Sequence, residues 1–266
     1  MGETGFGGRI ATRVLTAANS GACERPLLYR RRRGRALRPG QWKLISEFLP
    51  RVAVSIPASG RIDPRGLFGA GRASIWLEIG FGGGEHLAIQ AQTHPQIGLI
   101  GCEVFENGIV KLLAQIEHCH LENIRVFRDD ARLLIAALPR ASIDRVFILF
   151  PDPWPKRRHN KRRLVSRDTL DGLAAVMADG AELRLATDDR DYLCWMLERI
   201  TNHPDFEWLA RGPRDWRERP QGWPATRYEE KARAAGRAAI FLRVRRRPRA
   251  PSHDRKSLRD PVHALC

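Results

Sequence analysis

Five short apolar runs, each followed by a segment of helical length, constrain this chain more than any other feature. Ile75–Gly80, Ile97–Cys102, Ile124–Phe127, Ile143–Phe150 and Ala181–Ala186 read as strands on length and pattern. Between and after them, helical patterning begins at His86–Ala91 and recurs over Val104–Cys119, Ala131–Leu138, Val165–Met177 and Tyr192–Ile200. Ala239–Val244 alternates loosely and predicts a last strand. This alternation predicts one doubly wound α/β domain with a mostly parallel sheet. Upstream, Trp42–Leu49 predicts a short helix, and residues 50–71 a connector punctuated by Pro and Gly.

The fourth run ends abruptly. Phe150 is followed by Pro151-Asp152-Pro153-Trp154-Pro155, and six Lys or Arg residues occupy the ten positions after Pro153. Proline cannot donate to a sheet ladder and fixes its own φ, so Pro151 stops the strand and stiffens the loop. Asp152 is thereby presented at the carboxyl end of a central strand, where open α/β sheets bind ligands. A rigid acid beside an aromatic ring and a basic tract points to chemistry on a base within a nucleic acid. A solvated charge run alone does not explain the spacing of the prolines.

Lys and Arg outnumber Asp and Glu by 46 to 30, a net charge of +16. Such an excess favours a polyanionic partner through phosphate neutralisation. No apolar run approaches the roughly 20 residues that a membrane-spanning helix needs, so no membrane partner is expected. Five scattered cysteines without a Cys-x-x-Cys pair argue against a zinc ribbon or a disulfide framework and suit a reducing cytoplasm. His118-Cys119-His120 looks like a metal cluster, but helical neighbours at i and i+2 do not share a face. No metal is expected. The N-terminus has no apolar signal-peptide core. Tyr29-Arg-Arg-Arg-Arg33, with Arg35 and Arg38, reads equally as a basic arm on nucleic acid or as a solvated tail.

The first strand turns into its helix through Glu78-Ile-Gly80-Phe-Gly82-Gly83-Gly84. A dinucleotide fingerprint needs glycine at position 85, where Glu85 stands. Glu78, two residues before the first glycine, opposes a docked pyrophosphate but suits a cationic ligand such as S-adenosyl-L-methionine. Glu103 ends the second strand about 20 residues on, where an acid accepts from ribose hydroxyls. Asp130 follows the third strand, placed for an adenine edge, with Asp129 as its rival. Glu103 and Asp130 also stand at strand-to-helix junctions, where each would serve as a helix N-cap. Three acids at successive strand ends, with Asp152 at the fourth, favour a ligand site for the set.

Together these residues resemble the bacterial tRNA (guanine-N7-)-methyltransferases, a family of class I S-adenosylmethionine-dependent enzymes. The resemblance runs from about Leu28 to Val244, through Glu78-Ile-Gly-Phe-Gly82, Gly101-Cys-Glu103, Asp130-Ala131 and Phe150-Pro-Asp-Pro-Trp154. It continues through Lys156, Arg158-His-Asn-Lys-Arg-Arg163, Ala186-Thr-Asp188 and Thr226-Arg-Tyr-Glu229, and departs chiefly at Cys102 and Asp189. The loop with its basic run is highly specific; the glycine turn is generic. The resemblance implies a seven-stranded, Rossmann-like sheet and methyl transfer from S-adenosyl-L-methionine to N7 of guanine 46 in the tRNA variable loop. It implies that Glu78, Gly80, Gly82, Glu103, Asp130 and Asp152 line the cofactor site, with Asp152 catalytic. It assigns Lys156, Asp188, Thr226, Arg227, Tyr228 and Glu229 to the substrate, and Arg158, His159, Asn160, Lys161, Arg162 and Arg163 to the RNA. It also implies a cytoplasmic protein, monomeric or homodimeric, with tRNA as partner and no obligatory protein partner.

The organisation expected is a structureless extension over residues 1–25, a basic arm and connector over 26–72, a methyltransferase domain over 73–247 and a basic tail over 248–266. Three rivals share parts of the pattern. A dinucleotide-dependent oxidoreductase shares the α/β alternation but lacks the fingerprint glycine. A non-catalytic RNA-binding protein explains the charge but not the strand-end acids. Another S-adenosylmethionine-dependent RNA base methyltransferase, of the kind gripping an exocyclic amine with Asn/Asp-Pro-Pro-aromatic, would carry proline where Trp154 stands.

Overall fold

The structure, a computed structural model, describes residues 34–69 and 71–250. The expected N-terminal extension, the Tyr29–Arg33 stretch and the end of the tail lie outside the described residues. Chain order runs α1 (Pro39–Lys43), a π-helical turn (Leu44–Phe48), α2 (Leu49–Val52), β1 (Ser74–Ile79), α3 (Glu85–Thr93), β2 (Ile97–Cys102) and α4 (Glu106–His118). Then come β3 (Ile124–Phe127), α5 (Ala131–Ala137), β4 (Ile143–Leu149), a 3-10 turn (Arg157–Arg162), α6 (Arg167–Val176), β5 (Met177–Thr187) and α7 (Arg190–Thr201). The last elements are β6 (Phe206–Trp208), α8 (Arg214–Arg217), α9 (Arg227–Ala234) and β7 (Ile240–Arg246).

The seven strands form one sheet in the order β3-β2-β1-β4-β5-β7-β6. β1 to β5 are parallel; β7 runs antiparallel to both β5 and β6. The order reverses between β1 and β4, and such a switch point opens a crevice at the carboxyl ends of the strands. The pleat sends alternate side chains of β1 to opposite faces. Ile75, Leu77 and Ile79 join the core under α5, α6 and α7 (with Leu134, Leu170, Tyr192), while Trp76 packs with Leu87 and Leu112 of α3 and α4. Burial on both faces is why the central strands read as apolar runs. Among the described residues, no helix is long and apolar enough to cross a membrane.

Several expectations shift. The short helix expected over Trp42–Leu49 extends from Pro39 to Val52, with the π-helical turn at its centre. The connector is not loose: Val54 and Ile62 donate backbone hydrogen bonds to Val126 (2.8 Å) and Ala137 (2.9 Å), and Phe68 is buried. Asn107 on α4 clasps the chain upstream, accepting from the Gly34 N–H (2.8 Å) and donating to the Arg35 carbonyl (2.9 Å). The start of the basic tail expected over 248–266 is packed against the domain as far as it is described. β7 continues to Arg246, which is buried, and Arg249 donates to the Ala174, Ala175 and Met177 carbonyls at the end of α6. Those are the carbonyls that a helix C-terminus leaves unpaired. β6 has only three residues, and α9 has no apolar stripe long enough to announce it.

Gly108, in the first turn of α4, touches the glycine turn backbone to backbone. A Cβ there would lie 2.1 Å from the Gly82 carbonyl oxygen, and no rotamer change relieves that clash. Gly108→Ala should therefore force α4 away from the turn, at roughly 1–3 kcal/mol for overpacking. Thermal unfolding should register about 2–4 °C of lost Tm for each kcal/mol in a domain of this size. An unchanged Tm would mean that helix and turn separate freely.

Candidate active site

The glycine turn is built from left-handed residues. Gly80, Gly82 and Gly84 have φ of 76°, 58° and 81°, which side-chain-bearing residues seldom adopt. Position 85 needs no glycine because Glu85 is already the first residue of α3. The turn is tied down by Glu103. Its buried carboxylate accepts from the N–H groups of Gly82 (2.9 Å), Val104 (2.7 Å) and Phe105 (3.0 Å). Asp130 caps α5 through the Arg132 N–H (3.0 Å), and the Arg132 guanidinium grips the same carboxylate at 2.9 and 2.5 Å. Asp130 thus does the capping work that sequence could not separate from ligand binding, whereas Glu103 ties the turn to the approach to α4 without capping that helix. Both also line one crevice at the strand ends, together with Gly80, Asp129, Asp152 and Trp154.

Glu78 departs from its expected place. It is buried and hydrogen-bonded to Nδ1 of His86 at 2.7 Å, and it is not in the wall of the crevice. Pleat parity is the reason: Glu78 shares the α3 face with Trp76, whereas Ile79, one residue on, faces the crevice. Its carboxylate therefore steadies the start of α3, just past the turn. Gly82 is also outside the wall; a Cβ on it would lie 2.9 Å from the Tyr228 ring.

Two strained residues bracket the Pro-Asp-Pro loop. Phe150 and Trp154 have φ of 50° and 47° without being glycine, a conformation that costs of order 1–3 kcal/mol and persists only where its surroundings hold it. One hold is the Phe150 N–H on the Ala186 carbonyl at 2.8 Å. Asp152 is exposed on the crevice wall. Trp154 stands in the same wall, with the Arg162 guanidinium 5.0 Å above its ring and His159 edge-on at 5.9 Å.

The basic tract divides. Lys156, Arg158 and Lys161 are exposed, and His159, Asn160 and Arg162 are half-buried. Local desolvation, then the cations of Arg162, Arg158, Lys156 and Lys161, hold His159 below the usual imidazole range. Arg163 does not join them. It is buried, its Nε donates to the Pro153 carbonyl at 2.8 Å, and Nη2 pairs with Asp191. The expectation that Arg163 faces RNA is corrected by that burial.

The other predicted residues converge from the carboxyl ends of the sheet. Asp188, after β5, is paired with Arg237 at 2.8 Å. Thr226 caps α9 by accepting from the Glu229 N–H (3.1 Å). Tyr228 stacks on Phe150 with centroids 6.5 Å apart, and the Arg227 guanidinium lies 5.3 Å over the Tyr228 ring. Glu229 is turned inward and paired with Arg219 (3.4 Å) and Arg233 (3.3 Å). Sequence reasoning missed Arg132, His86, Asp191 and Arg237. Only Arg132, two positions from a capping acid, carried a local signal.

A family described as "Putative methyltransferase" matches residues 72–242 of this chain. The tRNA (guanine-N(7)-)-methyltransferase of Rhodospirillum rubrum is 51% identical over 225 residues, 84% of this chain and 88% of that protein. The enzyme of the same name from Paramagnetospirillum magneticum is 50% identical over 86% of this chain and 96% of its own length. That of Rhodopseudomonas palustris is 45% identical over 81% of this chain and 86% of its own. With the crevice built on these residues, the chain belongs to the tRNA (guanine-N(7)-)-methyltransferase family.

Proposed function

We propose that this protein is a cytoplasmic enzyme that transfers a methyl group from S-adenosyl-L-methionine to N7 of guanine 46 in the variable loop of tRNA. The observation that carries the reading is the meeting, at one crevice, of the strand-end acids Glu103 and Asp130 with the Asp152 loop and its basic tract. The donor set suits that cofactor. Carboxylates accept from ribose hydroxyls and amines, and left-handed glycines let backbone come close to a ligand. When bound, the cofactor would supply a sulfonium-activated methyl group to the N7 lone pair, its S–CH3 bond breaking to leave a neutral thioether.

Guanine N7 carries no proton, so the chain needs no general base to expose the nucleophile. Its residues have to align the reacting atoms, worth several kcal/mol, and offset the positive charge that grows on the purine. A carboxylate accepting from the N1/N2 edge does the second task, because alkylation at N7 makes N1–H more acidic. Asp152 is the candidate on the crevice wall, and Asp188, steadied by Arg237, is the other. Freeing the guanine from its tertiary pairing costs a few kcal/mol. Trp154, capped by Arg162, offers an aromatic face in return. Lys156, Arg158 and Lys161 are the exposed cations for the phosphate backbone.

Incubating the protein with unmodified tRNA and labelled S-adenosyl-L-methionine, then identifying the nucleoside by mass spectrometry, tests the reaction. N7-methylguanosine is expected, and it should vanish when guanine 46 is replaced. An RNA gel shift without methyl transfer would favour a binding protein instead. Asp152→Ala should lower turnover by well over tenfold with the fold intact, because the loop lies outside the core. A loss within about tenfold is only ~1.4 kcal/mol of barrier and would remove Asp152 from the mechanism. Glu103→Ala should weaken cofactor binding measured by calorimetry while tRNA affinity holds; the opposite pattern would refute its assignment. Replacing Arg158, Lys161 and Arg162 with Ala should flatten the salt dependence of tRNA binding by roughly 0.7–0.9 in log–log slope for each phosphate left without its cation. An unchanged slope would show these cations to be a solvated face.

A further inference from the structure

We propose that Arg163, the last residue of the basic run, is a positioning residue that holds the Asp152 loop in its strained form and does not contact RNA. The inference rests on the reading of Asp152 given above.

Pro151 and Pro153 have no N–H, so the loop is short of the donors by which a backbone usually anchors itself. At its upstream end the Phe150 N–H reaches the Ala186 carbonyl. At its downstream end the anchor is Arg163, whose Nε donates to the Pro153 carbonyl, the residue next to Asp152, at 2.8 Å. The partners are ten positions apart in sequence, so this bond closes the Trp154–Arg162 excursion into a loop with a fixed base.

The guanidinium sits in a slot made for it. Its centre lies 5.0 Å over the Tyr192 ring and 4.9 Å over the Trp195 ring, and Nη2 pairs with Asp191 in the first turn of α7. Both rings are themselves fixed to Val165, two residues further along. Tyr192 Oη accepts from the Val165 N–H at 3.1 Å, and Trp195 Nε1 donates to the Val165 carbonyl at 2.7 Å. Burial pushes the Tyr192 phenol up to about 12, so that ring stays neutral at any ordinary working pH. Arg163 is 3% exposed. Reaching a phosphate would mean leaving both rings, unpairing Asp191 and stripping the Pro153 carbonyl of its donor. The planar fork of an arginine joins two acceptors in fixed directions, which the point charge of a lysine does not reproduce.

The test compares Arg163→Ala, Arg163→Lys and Asp191→Ala with wild type. Asp191 is a surface residue with its side chain 72% exposed, so its variant keeps the fold even where Arg163→Ala does not. At saturating tRNA and cofactor, kcat should fall at least tenfold for Arg163→Ala and severalfold for the other two. The tRNA Kd should stay within about twofold, and its salt slope should not change. Trypsin should cut the Arg157–Arg162 turn faster in every variant that folds, and this readout needs no methyl transfer. If Arg163→Ala lowers tRNA affinity and salt slope while kcat at saturation holds, and Arg163→Lys restores affinity, Arg163 is a phosphate contact and the proposal falls. Wild-type kcat and proteolysis in both Arg163→Lys and Asp191→Ala would also overturn it, whatever happens to Arg163→Ala. Should wild type itself fail to methylate tRNA while trypsin still distinguishes the variants, the proposed reaction fails and the anchoring of the loop stands.

Discussion

The carboxylate of Glu103 is the interaction on which the site depends. It accepts three backbone N–H groups, one from the glycine turn and two from the approach to α4. Charge-assisted bonds of this kind are about twice as strong as neutral ones. Here they join β2 to two segments, adding to the Gly80 N–H on the Cys102 carbonyl and the Gln115 amide on the Gly83 carbonyl. Gly108 meeting the Gly82 carbonyl is the steric counterpart of the same junction. Attraction through Glu103 and the absence of a side chain at 108 together let the turn close on α4. The carboxylate that could receive a ribose is thus already oriented by the protein's own backbone.

Much of this was legible in the sequence. Alternating patterns located the parallel strands, because strands buried on both faces must be apolar along their whole length. The strand-end acids were legible because chain order puts them at the carboxyl edge of a parallel sheet, whichever way each side chain points. Direction was the part that sequence withheld. Glu78 and Ile79 are adjacent, yet one lies beneath α3 and the other in the crevice, a difference of one step of pleat. A register error of one residue exchanges their roles. Glu103 and Asp130 were read as caps or ligands; Asp130 is a cap, Glu103 instead binds the N–H groups of the turn and of the residues before α4, and both line the crevice.

Charge runs hid burial in the same way. Lys161, Arg162 and Arg163 look equivalent as a string, but they are exposed, half-buried and buried in that order. What separates them is the path of the chain out of the 3-10 turn and the aromatic slot on α7, 28 residues or more downstream. No local pattern carries that information. The same holds for Arg246 and Arg249, which look like a solvated tail and instead close the end of α6. In a chain with 46 Lys and Arg residues, net charge speaks to its partner but does not say which arginine is a structural fork.

α9 joins these parts into one mechanical unit. Its first turn lays Tyr228 against Gly82 of the glycine turn and against Phe150 of the Asp152 loop. Its far end is closed by left-handed Gly236, and the next residue, Arg237, pairs with Asp188 at the end of β5. Glu229, held between Arg219 and Arg233, fixes the helix from inside. A single short helix therefore touches the glycine turn, the strained loop and the second candidate acid. Within the motif Thr226–Glu229, Thr226 caps the helix and Tyr228 is its contact with the turn and the loop.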